Sequence, residues 1–309
     1  MTNKELLHRY RPIIDDWDGF LAALDRSLPL CVWTNTLRTD AASVQSSLGA
    51  AGLEPTPVDW HPGAFRLHTD LKPGNRFEYV AGLYHVQEEA SLLPVQILDP
   101  QPGERILDAC AAPGNKTVQI AVRMENKGTI VANDRDYRRS KATSRATDRL
   151  GVFNTTITTY DAANYPGEAG HFDRVLADVP CSCEGTSRKN PEIFQKLAGQ
   201  DPGRLQGLQQ AILRKAVQLT RPGGRIVYST CTYAPEENEA VIDAVLGQFG
   251  DELRLLPARI EGFACAPGLT RWQDQDYDPS LTAAMRVYPH HNDTGGFFVA
   301  LLEKRSSHE

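Results

Sequence analysis

Two cysteines stand where a sulfur could do chemistry. Cys181 lies in Asp178-Val179-Pro180-Cys181-Ser182-Cys183 and Cys231 in Ser229-Thr230-Cys231-Thr232-Tyr233, and each motif follows a β-rich apolar run, at 172–178 and 224–230. A single cysteine past a strand end is ordinarily a small buried hydrophobe. Two of them at adjacent strand ends, beside an acid, form a different pattern. A thiolate is far more nucleophilic than a hydroxyl, and methylation of an amine or hydroxyl has no use for one. Carbon 5 of cytosine does have a use for one, because it has no lone pair and becomes nucleophilic only after something adds to C6. The chemistry to expect is attack of Cys231 on C6 with Asp178 holding the base edge near N3, methylation at C5, loss of the C5 proton and elimination of the sulfur. A base stacked in a helix must be flipped out, or already be single-stranded, to be reached.

A metal site made of Cys181, Cys183 and Cys231 is the competing reading. Structural zinc sites favour paired C-x(2–4)-C knuckles, and there is neither a second pair nor a nearby His cluster in the sequence. No metal is therefore expected.

Three further motifs read as ligand contacts. Asp108-Ala109-Cys110-Ala111-Ala112-Pro113-Gly114-Asn115-Lys116-Thr117 follows an apolar run and opens a helical one. Small residues there let the backbone approach a ligand, and the free amides at a helix start suit a carboxylate. The spacing is that of neither a phosphate-binding loop nor a dinucleotide fingerprint. Asp134 ends the next β-rich run about 20 residues on, the offset at which an acid takes ribose hydroxyls. Asp161 follows the third run, where its carboxylate could meet the exocyclic amine of an adenine. Either acid could be a simple cap or turn residue. Three such features at three successive strand ends fit a ligand lying outside the carboxyl edge of an open α/β sheet.

The elements that must position these groups alternate. Strands are expected at 105–109, 129–134, 154–160, 172–178 and 224–230, with helices at 116–124, 137–150 and 205–219 between them, the last halted by Pro222-Gly223-Gly224. That is the pattern of parallel βαβ units. A helix at 235–248 and the run Gly296-Phe297-Phe298-Val299-Ala300-Leu301-Leu302 follow, the latter suited to antiparallel pairing at the sheet edge. Upstream lie a helical run at 13–28 and a strand within 30–38, followed by turn formers such as Glu54-Pro55-Thr56-Pro57 and Lys72-Pro73-Gly74. The expected division is a small α+β N-terminal module at 1–82 and a catalytic α/β domain at 83–309.

Composition sets outer bounds. The chain has 309 residues, 41% of them hydrophobic and 23% charged, as in an ordinary globular protein with a sizeable core. No apolar run reaches the length of a membrane span and the start lacks the apolar stretch of a signal peptide. With six scattered cysteines, this reads as a cytoplasmic protein with free thiols. The net charge of −6 opposes nonspecific coating of nucleic acid. It leaves room for a local basic face from Arg135, Arg138, Arg139, Lys141, Arg145 and Arg149, or from Arg188 and Lys189, although a charge run is as readily a solvated helix surface.

With these residues in view, the sequence resembles the Sun-type (Nol/Nop/Sun) RNA cytosine-5 methyltransferases over roughly residues 85–304. The motifs DACAAPGNKT, AND, DVPCSCEGT, YSTCTYAPEENE and GGFFVALLEK occur in the family's order. The resemblance implies a Rossmann-like class I methyltransferase domain with a mostly parallel seven-stranded sheet and an antiparallel edge. It implies S-adenosyl-L-methionine held by Cys110, Ala111, Ala112, Pro113, Gly114, Asn115 and Lys116, with Asp134 on the ribose, Arg139 as the basic residue that follows it, Asp161 near the adenine and Asp178 shared between cofactor and cytosine. It assigns Cys231 as nucleophile and Cys181 to product release; DNA cytosine methyltransferases use the Pro-Cys cysteine, which makes Cys181 the rival. The substrate implied is RNA, ribosomal or transfer, acted on by a monomer. Asn115 replaces a glycine common in the family, and no RNA-binding module is recognisable after Lys304, which leaves target choice to the N-terminal module. Other readings are an adenine or amine methyltransferase, which would carry an Asn/Asp-Pro-Pro-Tyr clamp in place of Asp178-Val179-Pro180-Cys181, and a non-catalytic RNA-binding or assembly factor of the same fold.

Overall fold

The computed structural model describes residues 5–68 and 71–306. Strands β1 (Leu30–Thr34), β2 (Pro55–Pro57), β3 (Ala64–Leu67) and β4 (Tyr84–Val86) form a small antiparallel sheet in the order β2-β3-β1-β4. The helix Ala41–Ala50 starts where the Asp40 carboxylate accepts the Ser43 amide at 2.8 Å, and it lays Val44 and Leu48 over Val32, Phe65, Leu67 and Tyr84. This core is small and local.

Residues 5–24 do not join it. The single helical run expected at 13–28 is instead a 3-10 helix, Glu5–Ile13, and a short α-helix, Trp17–Leu24. Asp16 causes the break, because its side chain caps the second helix by accepting the Gly19 amide at 2.9 Å. Leu7, Tyr10, Ile14 and Phe20 pack into the main core, against Tyr233, Tyr288 and Trp272.

The main sheet has nine strands: β5 (Arg105–Asp108), β6 (Thr129–Asn133), β7 (Thr155–Thr158), β8 (Phe172–Asp178), β9 (Thr220–Thr230), β10 (Leu253–Leu256), β11 (Ala266–Pro267), β14 (Met285–Val287) and β15 (Phe297–Lys304); β12 (Arg271–Trp272) and β13 (Gln275–Asp276) form a separate ribbon. Five parallel strands run β7-β6-β5-β8-β9, and β15 pairs antiparallel to β9, Leu301 opposite Val227. β10 and β14 share the other edge of β15. The expected seven strands are β7-β6-β5-β8-β9-β15-β10, and β14 with β11 extends the antiparallel edge. β8 and β9 are buried on successive residues at 174–177 and 226–230, as in a sheet covered on both faces.

Two boundaries shift. β9 begins at Thr220 rather than 224, pairing with Phe172 across a bulge, so Pro222 and Gly223 lie exposed within the strand rather than before it. The following helix is Glu239–Phe249, later than expected, because residues 234–238 form turns that hold the loop after β9.

The order of the parallel strands reverses direction at β5, with β6 on one side and β8 on the other. That switch point is where an open α/β sheet binds its ligand. The loops after β5, β6, β8 and β9 all meet there.

Candidate active site

A cavity of about 640 Å³ opens at this switch point, within the size range of small-molecule sites. Cys110, Ala112, Asn115, Lys116, Asp134, Arg139, Asp161, Asp178, Cys181 and Cys231 all line it. Ala111, Pro113 and Gly114 do not. Gly114 serves the turn instead: its φ is +103°, and a Cβ there would come within 2.8 Å of Thr143 Cα on the helix Tyr137–Leu150.

At the β6 end the Asp134 carboxylate is almost buried, its side chain 6% exposed. It accepts the Asp136 amide at 2.9 Å and the Ala112 amide at 3.3 Å, so it is fixed in direction before any ligand arrives. Arg139 donates to Ala112 O at 2.8 Å and lies 3.5 Å from Asp134. Asp161 is exposed and caps a short 3-10 turn by accepting the Ala163 amide at 3.1 Å, which leaves it facing the cavity as well. Asn115 has a partner that the sequence did not reveal. His85 on β4 lies with Nε2 3.0 Å from Asn115 Oδ1, and burial pushes this imidazole down to about 4, so it stays neutral and donates from Nε2. The contact ties the N-terminal sheet to the loop.

Under the loop, Asp108 is 1% exposed. Thr117 donates to its Oδ2 at 2.6 Å, and Oδ1 has no hydrogen-bond partner. Burial pushes this carboxyl up to about 7, against the Thr117 hydrogen bond that favours the charged form. Both oxygens of Asp178 are engaged: Lys116 Nζ donates to Oδ2 at 2.7 Å and Ser229 Oγ to Oδ1 at 2.7 Å. Lys116 thus spans from the cofactor loop to the β8 end.

The two cysteine loops meet. Cys181 Sγ is 3.4 Å from Cys231 Sγ and 3.8 Å from Cys183 Sγ. Main chain sets the approach, because Gly185 N donates to Cys231 O and Gly296 N to Gly185 O, each at 2.9 Å. A Cβ on Gly185 would sit 2.2 Å from Gly296 O. Buried acids hold the loops from below. Glu184 accepts Tyr10 OH at 2.8 Å and Thr232 Oγ1 at 3.0 Å, and Glu237 accepts the Ser182 amide at 3.0 Å and Gln209 Nε2 at 2.7 Å. Arg286, fully buried and paired with Glu239, donates to Tyr233 O at 3.0 Å. Losing either partner of that pair would cost about 3–5 kcal/mol, because it strands a buried charge.

Hydrogen bonds with Cys183 and Cys231, then burial, push the Cys181 thiol up. Hydrogen bonds from its two neighbours bring Cys183 down to about 3, aided by the charges of Arg139 and Arg204. Cys183 adopts φ +61°, a left-handed conformation that costs a side chain about 1–2 kcal/mol.

Two groups differ from their sequence reading. Arg188 is not an open phosphate contact: its side chain is 0% exposed, and it donates to Ser27 O, Thr294 O and Asp293, tying three segments together. Arg149 donates to Tyr79 O and stacks on the Tyr79 ring. Arg135, Arg138, Arg139, Lys141 and Arg145 remain exposed, Arg135 and Arg139 at the cavity itself. Wall residues that sequence reasoning missed include Glu88, Phe297 and the segment 27–31. The paired glycines before Phe297 were the one available signal, since adjacent small residues there mark a close main-chain approach.

The α/β sheet order, with the cavity at its switch point and an acid buried at the β6 end, defines a class I S-adenosylmethionine-dependent methyltransferase fold. The comparisons carry this further. Residues 95–303 match the family described as 16S rRNA methyltransferase RsmB/F, and residues 3–89 match the N-terminal domain of 16S rRNA methyltransferase RsmF. The chain belongs to the RsmB/F methyltransferase family, within the Sun-type group that the sequence resembles. It is 34% identical over 98% of its length to the tRNA (cytosine(49)-C(5))-methyltransferase of Pyrococcus abyssi, covering 96% of that protein. It is 38% identical over 93% of its length to the human 28S rRNA (cytosine(4447)-C(5))-methyltransferase, of which it covers 36%. A solved methyltransferase homologue from Pyrococcus horikoshii superposes with a TM-score of 0.80 at 33% identity, over 93% of this chain and 90% of that one. Against the mouse, human and fission-yeast rRNA methyltransferases, the chain spans 37%, 36% and 48% of their lengths. Among the described residues no helix is long and apolar enough to cross a membrane.

Proposed function

We propose that the protein methylates C5 of a cytosine in ribosomal or transfer RNA, with S-adenosyl-L-methionine as donor. The carrying observation is the pair of sulfurs, Cys181 and Cys231, 3.4 Å apart in the wall of a cavity whose other wall holds the buried Asp134. The residues suit the donor: Asp134 is oriented for ribose hydroxyls, Asp161 for the adenine amine, and Cys110, Ala112, Asn115 and Lys116, with Arg139, border the same space. Bound there, the donor supplies an electrophilic methyl group on a sulfonium.

The chain's own groups do the rest. Cys231 adds to C6 of the cytosine and makes C5 electron-rich. Asp178, steered by Lys116 and Ser229, holds the base edge near N3. After methylation the C5 proton passes to Cys181 acting as a base, and the electron pair of that C–H bond forms the C5–C6 double bond and expels Cys231 from C6 as its thiolate. The reaction calls for no metal. The N-terminal sheet, which extends the module expected at 1–82 to Val86 while residues 5–24 pack on the main core, presents the RNA to the catalytic domain, and the exposed arginines of helix Tyr137–Leu150 steer its phosphates. The protein acts as a cytoplasmic monomer.

The test is transfer of tritiated methyl from the donor into RNA, with the product recovered as 5-methylcytosine. Label found only in adenine or in protein ends the proposal. Cys181→Ala is expected to accumulate a protein–RNA adduct that survives denaturation; an adduct trapped by Cys231→Ala instead reverses the two roles.

A further inference from the structure

The cytosine chemistry uses two thiols, and the cavity wall offers three. We propose that Cys181, Cys183 and Cys231 together form a site for one thiophilic divalent metal ion of the Zn²⁺ or Cd²⁺ kind, and that the ion and a cytosine cannot be engaged at once.

The geometry comes first. The three sulfurs all lie within 4.8 Å of one another. Zinc bonds thiolate sulfur at about 2.3 Å in a tetrahedral arrangement, which places neighbouring sulfurs about 3.8 Å apart. Cys181 and Cys183 are already at 3.8 Å, and the 3.4 Å between Cys181 and Cys231 needs to open by only ~0.4 Å.

Cys183 is the member that the methylation chemistry leaves idle. It occupies a left-handed backbone position, where glycine sits without strain, and its sulfur turns back to within 3.3 Å of Cys181 O while lining the cavity. A cysteine kept as a small hydrophobe would be buried in a core; this one is partly exposed beside two other thiols. Its S–H donates to Cys181 O, so the sulfur is held at the cluster by main chain and has, among the described residues, no other polar partner than the two neighbouring thiols.

The site is not a structural zinc knuckle. Its loops are held by Glu184, Glu237 and the Gly185–Gly296 main-chain contacts, none of which needs an ion. Three protein ligands leave the fourth position open to the cavity, so the ion can exchange. Binding balances as one divalent ion plus three thiols giving a tris-thiolate complex and three protons. A metal-bound Cys231 sulfur has its charge drawn into the bond to the ion and is turned toward it, so it is a poor nucleophile for C6. Only this last clause rests on the function proposed above.

The experiment uses the full chain, kept reduced with a thiol-free phosphine, without RNA or methyl donor. Titration with Cd²⁺ alone is expected to give one ion per chain, the ultraviolet thiolate-to-cadmium charge-transfer band, and release of about three protons in weak buffer. Cys183→Gly, chosen because glycine accepts the backbone position, is expected to weaken binding about 10-fold or more, and Cys265→Ser to leave it unchanged. Equal binding by Cys183→Gly and the parent, or no charge-transfer band, overturns the proposal. In a second arm, Zn²⁺ should inhibit methylation of RNA with the midpoint of its binding curve, reversibly by chelator, and at higher concentration in Cys183→Gly. A metal-free protein that methylates RNA but shows no such binding refutes the site and leaves the function standing. Metal binding as described in a protein that never methylates cytosine supports the site and refutes the function.

Discussion

The two halves of the cavity are built on different principles. At the ends of β6 and β7 each candidate acid is fixed by its own neighbourhood, Asp134 by amides two residues ahead and across the loop and Asp161 by the turn it caps, while the loop after β5 is tied outward, Asn115 to His85 and Lys116 to Asp178. At the ends of β8 and β9, nothing is fixed alone. The sulfurs share hydrogen bonds, their loops are joined through main chain, and the acids beneath reach as far as Tyr10. A site made of independent contacts should lose affinity piece by piece. A coupled site should fail as a unit.

The sharpest test of this contrast is Cys231→Ala. It is expected to lower kcat for methyl transfer on the order of 10⁴-fold or more, as removal of a covalent nucleophile does, while calorimetric affinity for the methyl donor stays within about twofold. A parallel collapse of donor affinity would show the two halves to be one. Next is Asp134→Ala. Loss of a charged hydrogen-bond acceptor, worth about 1.5–3 kcal/mol, should raise KM for the donor about 10- to 100-fold and leave adduct formation by the Cys181→Ala protein intact; loss of the adduct would break the division.

What the sequence disclosed follows the same line. Asp134, Asp161, Cys181 and Cys231 were legible because strand ends in a βαβ array share one edge, so position along the chain fixes position in space. Arg188 was not, since its partners are carbonyls of residues 27 and 294, which no local pattern links to it. Residues 5–24 show an apolar face, but periodicity says that a face is buried and not what buries it. The place of Cys183 depended on a left-handed backbone angle, which a non-glycine residue hides. Ala111 and Pro113 were read as contacts because a motif is contiguous in sequence, while a turn presents only some of its residues to one side.

A subtler test concerns Asp108. Its carboxyl is pushed up to about 7 in the fold, so between the ordinary carboxylate range and pH 7 the native state holds a proton that the unfolded chain has released. Stability from this group therefore falls as pH rises from about 4 to 7 and levels off above. Asp108→Asn should remove the fall, gaining on the order of 2 kcal/mol relative to the parent between those limits in urea titrations. An unchanged difference between the two proteins across that range would mean that Asp108 is charged in the native state. The smallest effect is expected from Arg139→Ala. This half-exposed partner of Asp134 should change KM for the donor only about two- to fivefold, less at high salt. A far larger change would mean that the donor half is coupled after all.

The hydroxyl of Tyr10 meets Glu184 across 174 residues of chain. During synthesis, residues 5–24 therefore leave the ribosome long before the surface they cover exists. They must wait, with Leu7, Tyr10 and Phe20 unsheltered, until β9 and the segments beyond it have emerged. The support that Tyr10 gives Glu184 beneath the thiol loops therefore arrives only after those loops exist, so this part of the scaffold closes among the last events of folding.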